Sequence, residues 1–142
     1  MGHRYSVFLT AMSILAIALL NIPARANSNI ESGKTYQATN LGSSVNPDFK
    51  GGTLQLNSAT AITDNFNVEN YPTNTIDSDG HSVTMSGAFT GAGPLTFSDS
   101  VGGGSVMLTS SGNTYSGQTT INSGATLKNT TEAKSLMVMP PF

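Results

Sequence analysis

The sequence predicts an all-β chain, a piece of a β-solenoid in which short strands stack coil upon coil, and three observations predict it. Apolar residues come in pairs and triplets with period two, and no 3.6-residue amphipathic run follows Ala26. Each short strand is bounded by Gly, Asn or Asp, residues that suit tight turns. Finally, Gly51-Gly52-Thr53-Leu54 is echoed by Gly124-Ala125-Thr126-Leu127, with Gly, Thr and Leu at matching places. Repeated Gly-bounded strands with hydroxyl residues between them fit a stack whose strands lie about 4.8 Å apart.

Residues 1–26 read as a signal peptide. Arg4 supplies the positive start, Val7 to Leu20 is mostly apolar, and Ala24-Arg25-Ala26 gives the small-x-small site that precedes cleavage. The apolar run falls short of the roughly 20 residues that span a bilayer, so the mature chain is expected to begin at Asn27 and not to insert in the membrane. Its charges are then Lys34, Lys50, Lys128 and Lys134 against all eight acids.

Residues 27–129 carry the strands. Thr53-Leu54-Gln55-Leu56 sets two leucines on one face; Ser82-Val83-Thr84-Met85, Leu95-Thr96-Phe97 and Val106-Met107-Leu108 alternate in the same way. Between Asn57 and Thr75 the alternation weakens and Tyr71-Pro72 breaks it, so a longer loop or irregular strand is expected. In Ser111 to Leu127, Ile121, Ala125 and Leu127 are expected to face a narrow core while Thr120, Asn122 and Thr126 face water. Asn113 and Asn122 are expected at corners, where a side-chain amide bonds the backbone of a turn. Residues 130–142 lack both turn glycines and alternation and read as a non-repetitive tail, disordered or out of frame. At about 20 or more residues per coil, at most about five coils are expected, and their end strands leave edges open to self-association.

Composition narrows the partners. Only 10% of the 142 residues are charged, against about a quarter in typical domains. Six Lys and Arg face eight Asp and Glu with no basic cluster, so neither nucleic acid nor an anionic membrane surface is expected as a partner. No cysteine is present, which removes disulfides, thiolate nucleophiles and Cys-ligated metals.

Residues that could carry chemistry are few and scattered. His81 stands in Asp77-Ser78-Asp79-Gly80-His81-Ser82, but a Ser/His/Asp triad needs groups converging from separate parts of a fold. Asp77-x-Asp79-Gly80 resembles half a calcium loop; an EF-hand would also need ligands where Thr75 and Ser86 stand. Gly102-Gly103-Gly104 is followed by no Lys-Ser or Lys-Thr and reads as a flexible turn rather than a phosphate loop. Tyr36, Tyr71 and Tyr115 would stack on sugars only if they formed a row. Asn129-Thr130-Thr131 is a glycosylation sequon, meaningful only where the machinery exists. No catalytic, cofactor-binding or metal-ligating residue is therefore assigned, and the chain is not expected to be an enzyme.

The stretch from Asn113 to Leu127 resembles the autotransporter-associated β-strand repeat. The signature is carried by Asn113, Thr114, Tyr115, Gly117, Thr119, Thr120, Ile121, Gly124, Thr126 and Leu127. Upstream, Ser86, Gly87, Gly91, Gly93, Leu95 and Thr96 are similar to the segment that precedes the signature in that family. The resemblance covers roughly Gly51 to Asn129. It implies a right-handed parallel β-helix in the passenger domain of an exported Gram-negative surface protein, which crosses the outer membrane through a C-terminal barrel. No barrel-like series of strands occurs in this sequence, so a truncated or frameshifted piece, or one short member of a larger locus, is expected. The implied function is a non-catalytic stalk or an adhesin-like surface making host-surface or cell-cell contacts. It would sit at the cell surface or outer membrane, or in the periplasm if no barrel is supplied. The alternatives are the remnant of a passenger enzyme that lacks its catalytic domain and a small secreted all-β binding module.

Overall fold

The computed structural model describes residues 29–41, 46–58 and 61–130. The expected signal peptide (1–26) and the tail beyond Thr130 lie outside the described residues. What is described is a parallel β-solenoid of about four turns.

The first coil holds β1 (Asn29–Glu31) and β2 (Thr35–Gln37), followed by a short 3-10 turn, Ala38–Asn40. The second holds β3 (Asp48–Lys50), β4 (Thr53–Gln55) and β5 (Ala61–Ile62). The third holds β6 (Phe66–Val68), β7 (Thr75–Asp77) and β8 (Ser82–Met85), and the fourth β9 (Phe89–Gly91), β10 (Leu95–Ser98) and β11 (Ser105–Leu108). Then come β12 (Thr119–Ile121) and β13 (Leu127–Asn129). Three parallel sheets result, in the orders β1-β3-β6-β9, β2-β4-β7-β10-β12 and β5-β8-β11-β13. Hydrogen bonds from one coil to the next span between 18 and 26 residues of sequence.

Strands of three or four residues suffice because every strand pairs with the coil above or below, and each contributes one or two side chains to the interior. On the middle sheet Leu54, Ile76 and Phe97 stack in register, each no more than 1% exposed. On the outer side of that sheet Thr35, Thr53, Thr75, Thr96 and Thr120 also fall in one register column, where branched Cβ atoms fit the pleat. The third sheet stacks Val83 on Val106 and Leu127, and Ile62 on Met85 and Leu108.

Along the first sheet runs an aromatic column. Phe66 lies between Phe49, at a ring-centroid distance of 5.6 Å, and Phe89, at 5.0 Å with the rings nearly parallel. Tyr115 closes the column edge-on against Phe89 at 6.4 Å. Pairs of this kind add about 0.5–1.5 kcal/mol beyond area burial.

Two expectations are corrected. The segment from Asn57 to Thr75 contains β5 and β6, with Phe66 and Val68 fully buried; among its described residues the longest stretch without a strand is Glu69 to Asn74, the corner after β6. The coils number about four, within the expected maximum of about five. Leu127 packs against the core and Ile121 stands in register with the buried Phe97, but these two and Ala125 are only half-buried, at the end of the described coils. The buried core instead centres on Phe49, Phe66, Phe89, Leu54, Ile76 and Phe97.

Candidate functional site

The candidate cluster lies at the corner between β7 and β8 and its counterpart one coil on, after β10. Asp77 ends β7, and its Oδ1 accepts the N–H of Asp79 at 3.1 Å and of Ser100 at 2.9 Å, while Oδ2 accepts the Ser100 hydroxyl at 2.7 Å. Asp99 does the same work between coils: Oδ1 accepts the N–H of Gly80 at 2.8 Å and of Gly102 at 3.0 Å, and Oδ2 that of Gly104 at 2.8 Å. Each carboxylate thus fills a nest of backbone donors, a concavity that favours anions. The local reason is visible at Asp79 and Gly80, whose φ values of 50° and 75° turn the chain so that the Asp79 N–H meets Asp77 and the Gly80 N–H meets Asp99.

Electrostatics follow the geometry. Burial, the largest single influence on Asp77, opposes its ionisation, but the bonds from Ser100, Asp79 and Gln55 together outweigh it and hold the carboxyl below its ordinary value. At Asp99 desolvation again works upward and is overcome by the N–H groups of Gly80, Gly104 and Gly102 and the Ser78 hydroxyl, which lower the pKa from 3.8 to about 2. Since Asp99 titrates lower in the folded chain than in an unfolded one, its stabilising contribution is complete above about 3.8. It fades as the pH falls toward about 2. Asp99→Asn should lower the melting temperature near neutral pH and shrink the loss of stability between those two values. Thermal melts across that pH range check this, and an unchanged acid profile would refute it.

These placements bear on the residues that the sequence weighed and left unassigned. Asp77 and Asp79 do meet, but the oxygens of Asp77 face N–H and O–H donors, whose positive ends repel a cation as calcium would require them not to. Among the described residues no group of three His, Asp or Glu side chains converges as metal ligands would. His81 gives its backbone to the corner, donating to the Ser78 carbonyl at 2.8 Å and accepting from Ser105 N–H at 3.0 Å. Its Nδ1, the atom an orienting carboxylate must reach in a triad, is buried without a partner. Gly102-Gly103-Gly104 is not a free turn but the wall of the Asp99 nest.

The tyrosines form no row. Tyr36 packs against the core in the first coil, Tyr71 is exposed in the corner after β6, and Tyr115 belongs to the aromatic column. The Tyr115 hydroxyl lies 2.6 Å from Thr119 Oγ1; burial pushes its pKa up, with the Thr119 bond acting the other way. In the sequon, Asn129 ends β13, and Thr131 lies outside the described residues.

Two further residues of the repeat signature, Asn113 and Gly117, engage the coil beneath them. Asn113 Oδ1 accepts the Phe89 N–H of the preceding coil at 2.9 Å, the corner role expected for it. Asn122 lies at a corner and is exposed, its N–H donating to the Phe97 carbonyl at 2.9 Å. Gly117 sits directly over Gly93: a Cβ there would fall 2.1 Å from the Gly93 carbonyl, so only glycine lets the coils approach.

Sequence reasoning missed two residues, Asp99 and Asn74. Asn74 is 0% exposed and joins three coils: Oδ1 accepts Gly51 N–H at 2.7 Å, and Nδ2 donates to the carbonyls of Glu69 at 2.8 Å and Pro94 at 3.1 Å. The available signal was position, since Asn74 directly precedes the strand Thr75-Ile76 as a corner Asn should and Asp99 directly follows β10, as Ser78 follows β7 one coil before. Family models, characterised proteins and solved structures were all compared with this chain, and none matches it.

Proposed function

We propose that the chain is an exported, non-catalytic passenger fragment of an autotransporter-like surface protein, its solenoid serving as a stalk or an adhesive contact surface. The observation that carries this reading is the use made of the signature residues: Asn113, Tyr115 and Gly117 each engage the coil beneath them, as a repeat that propagates a stack must. The polar groups richest in chemical promise, Asp77 and Asp99, are spent on holding corners together. No helix among the described residues is long and apolar enough to cross a membrane.

Export is the part of this reading most directly tested. Expressed from Met1 in a Gram-negative host, the protein should be recovered from the envelope fraction with Asn27 as its first residue by N-terminal sequencing. Recovery only from the cytoplasm, or a product that keeps Met1, would overturn the reading.

A further inference from the structure

Asp79-Gly80 is the only place in the chain where glycine follows an aspartate or an asparagine. That step has a chemistry of its own. With no side chain on the second residue to hinder it, the glycine nitrogen can attack the aspartate Cγ; the nitrogen's proton and the carboxyl's hydroxyl leave as water, and a cyclic imide forms. Water then reopens the ring at either carbonyl. Addition at Cγ restores aspartate, whereas addition at the main-chain carbonyl breaks its bond to nitrogen and leaves the chain running through Cβ and Cγ, as isoaspartate. The water lost is regained, so the product is an isomer with one more carbon in its backbone, and no oxidant is consumed.

The fold holds both reacting groups. Asp79 is the one non-glycine residue with positive φ among the described residues, a conformation that aspartate tolerates better than most. Its own N–H donates to Asp77 Oδ1 at 3.1 Å, and the Gly80 N–H donates to Asp99 Oδ1, one coil on, at 2.8 Å. The proton that must leave is therefore the one that Asp99 holds. Ring closure also needs the nitrogen's lone pair, which lies off the peptide plane, to turn toward Cγ, and a near-linear N–H···O bond resists that rotation. Asp99 does not assist as a base, since its pKa of about 2 makes it a poor proton acceptor. The same loop covers the rest of the step: Ser100 Oγ lies 3.4 Å from Asp79 Oδ1, and a Cβ on Gly80 would meet Val101 Cγ1 at 3.0 Å.

We infer that Asp79 is a latent modification site, which converts to isoaspartate when the third and fourth coils part at this corner and which Asp99 keeps unreactive while they stay stacked. Local openings of this kind occur well short of global unfolding. Reclosing does not undo the change. The lengthened corner carries the Gly80 N–H off its Asp99 acceptor, so a coil that has opened and isomerised no longer closes as before.

The test compares the purified protein in warm neutral buffer with the same protein held in urea, isoaspartate at residue 79 being counted by enzymatic methylation and by fragmentation of its peptide in the mass spectrometer. The folded chain should accumulate it at least about tenfold more slowly, since only the open form reacts. Asp99→Ala, with its circular dichroism unchanged, should remove most of that protection. Asp99→Asn keeps an oxygen for the Gly80 N–H and should retain it despite a lower melting temperature. Equal rates in the folded and unfolded chains overturn the inference, as does a folded Asp99→Ala that stays protected. Equal loss in the two variants overturns it too, because the stability of the corner alone would then set the rate. Should Asp99→Ala fail to fold, hydrogen exchange in the unmodified protein decides: the Gly80 amide must be protected, and exchange at the unfolded-chain rate overturns the inference.

Discussion

Phe66→Ala should cost about 3–5 kcal/mol, the range for truncating a buried phenylalanine, and in so small a stack that approaches the whole of its stability. Phe66 is 1% exposed and is the middle ring of the column, touching Phe49 on one side and Phe89 on the other. Truncation therefore opens a gap between coils and removes two ring contacts at once. At about 4–8 °C per kcal/mol for a domain of 60–100 residues, the melting temperature should drop by well over 10 °C or the transition should vanish. The corresponding change in the repeat signature, Ile121→Asp, strikes a half-buried position at the open end, where the carboxylate can reach water. It should cost less than Phe66→Ala. A Phe66→Ala loss under about 1 kcal/mol, below the usual range for core truncations, would mean that the column does not hold the coils together.

Asn74→Leu should be comparably damaging for the opposite reason. The side chain is nearly isosteric, so packing is kept while the Gly51 N–H and the carbonyls of Glu69 and Pro94 lose their partner. A buried polar group left unsatisfied costs about 1–3 kcal/mol, and the expected sum is 3 kcal/mol or more. Asn74→Asp keeps the acceptor for Gly51 but sets a carboxylate against two carbonyls, so it should fall between wild type and Leu or below both. Urea titration of the three proteins checks this. If Asn74→Leu unfolds at the wild-type urea concentration, the amide is not what ties the coils together.

How much of this could be seen in the sequence depends on whether the cause was local. Ser82–Met85 matches β8 residue for residue, and the readings at Thr53, Leu95 and Val106 fall on β4, β10 and β11, because alternation and a flanking glycine act within a few residues of the strand they specify. Phe66-Asn67-Val68 alternates as Leu95-Thr96-Phe97 does but has no glycine beside it. Three residues between Asn65 and Glu69 offer one period of alternation, and the strand exists only because Phe49 lies beneath it and Phe89 above. The spacing between coils could not supply the missing signal, since corner loops such as Asp99 to Gly104 vary it. Asp99 and Asn74 were hidden for a related reason: most of their partners sit on neighbouring coils, 19 to 23 residues away in the cases of Gly80, Pro94 and Gly51. The glycine triplet was legible as a turn; that an aspartate would organise it was not.

The aromatic column carries a consequence for how substitutions combine. Phe49 meets Phe66, Phe66 meets Phe89 and Phe89 meets Tyr115, and the sheets likewise join each coil only to the one before and the one after. A perturbation is therefore felt one coil away and hardly beyond, as in a one-dimensional chain of nearest neighbours. Changes at Phe49 and Phe89 have Phe66 between them and should add almost independently, whereas either one combined with a change at Phe66 should show a coupling term. The molecule can in that sense drift coil by coil: each layer is free to vary as far as the two faces it presents to its neighbours allow.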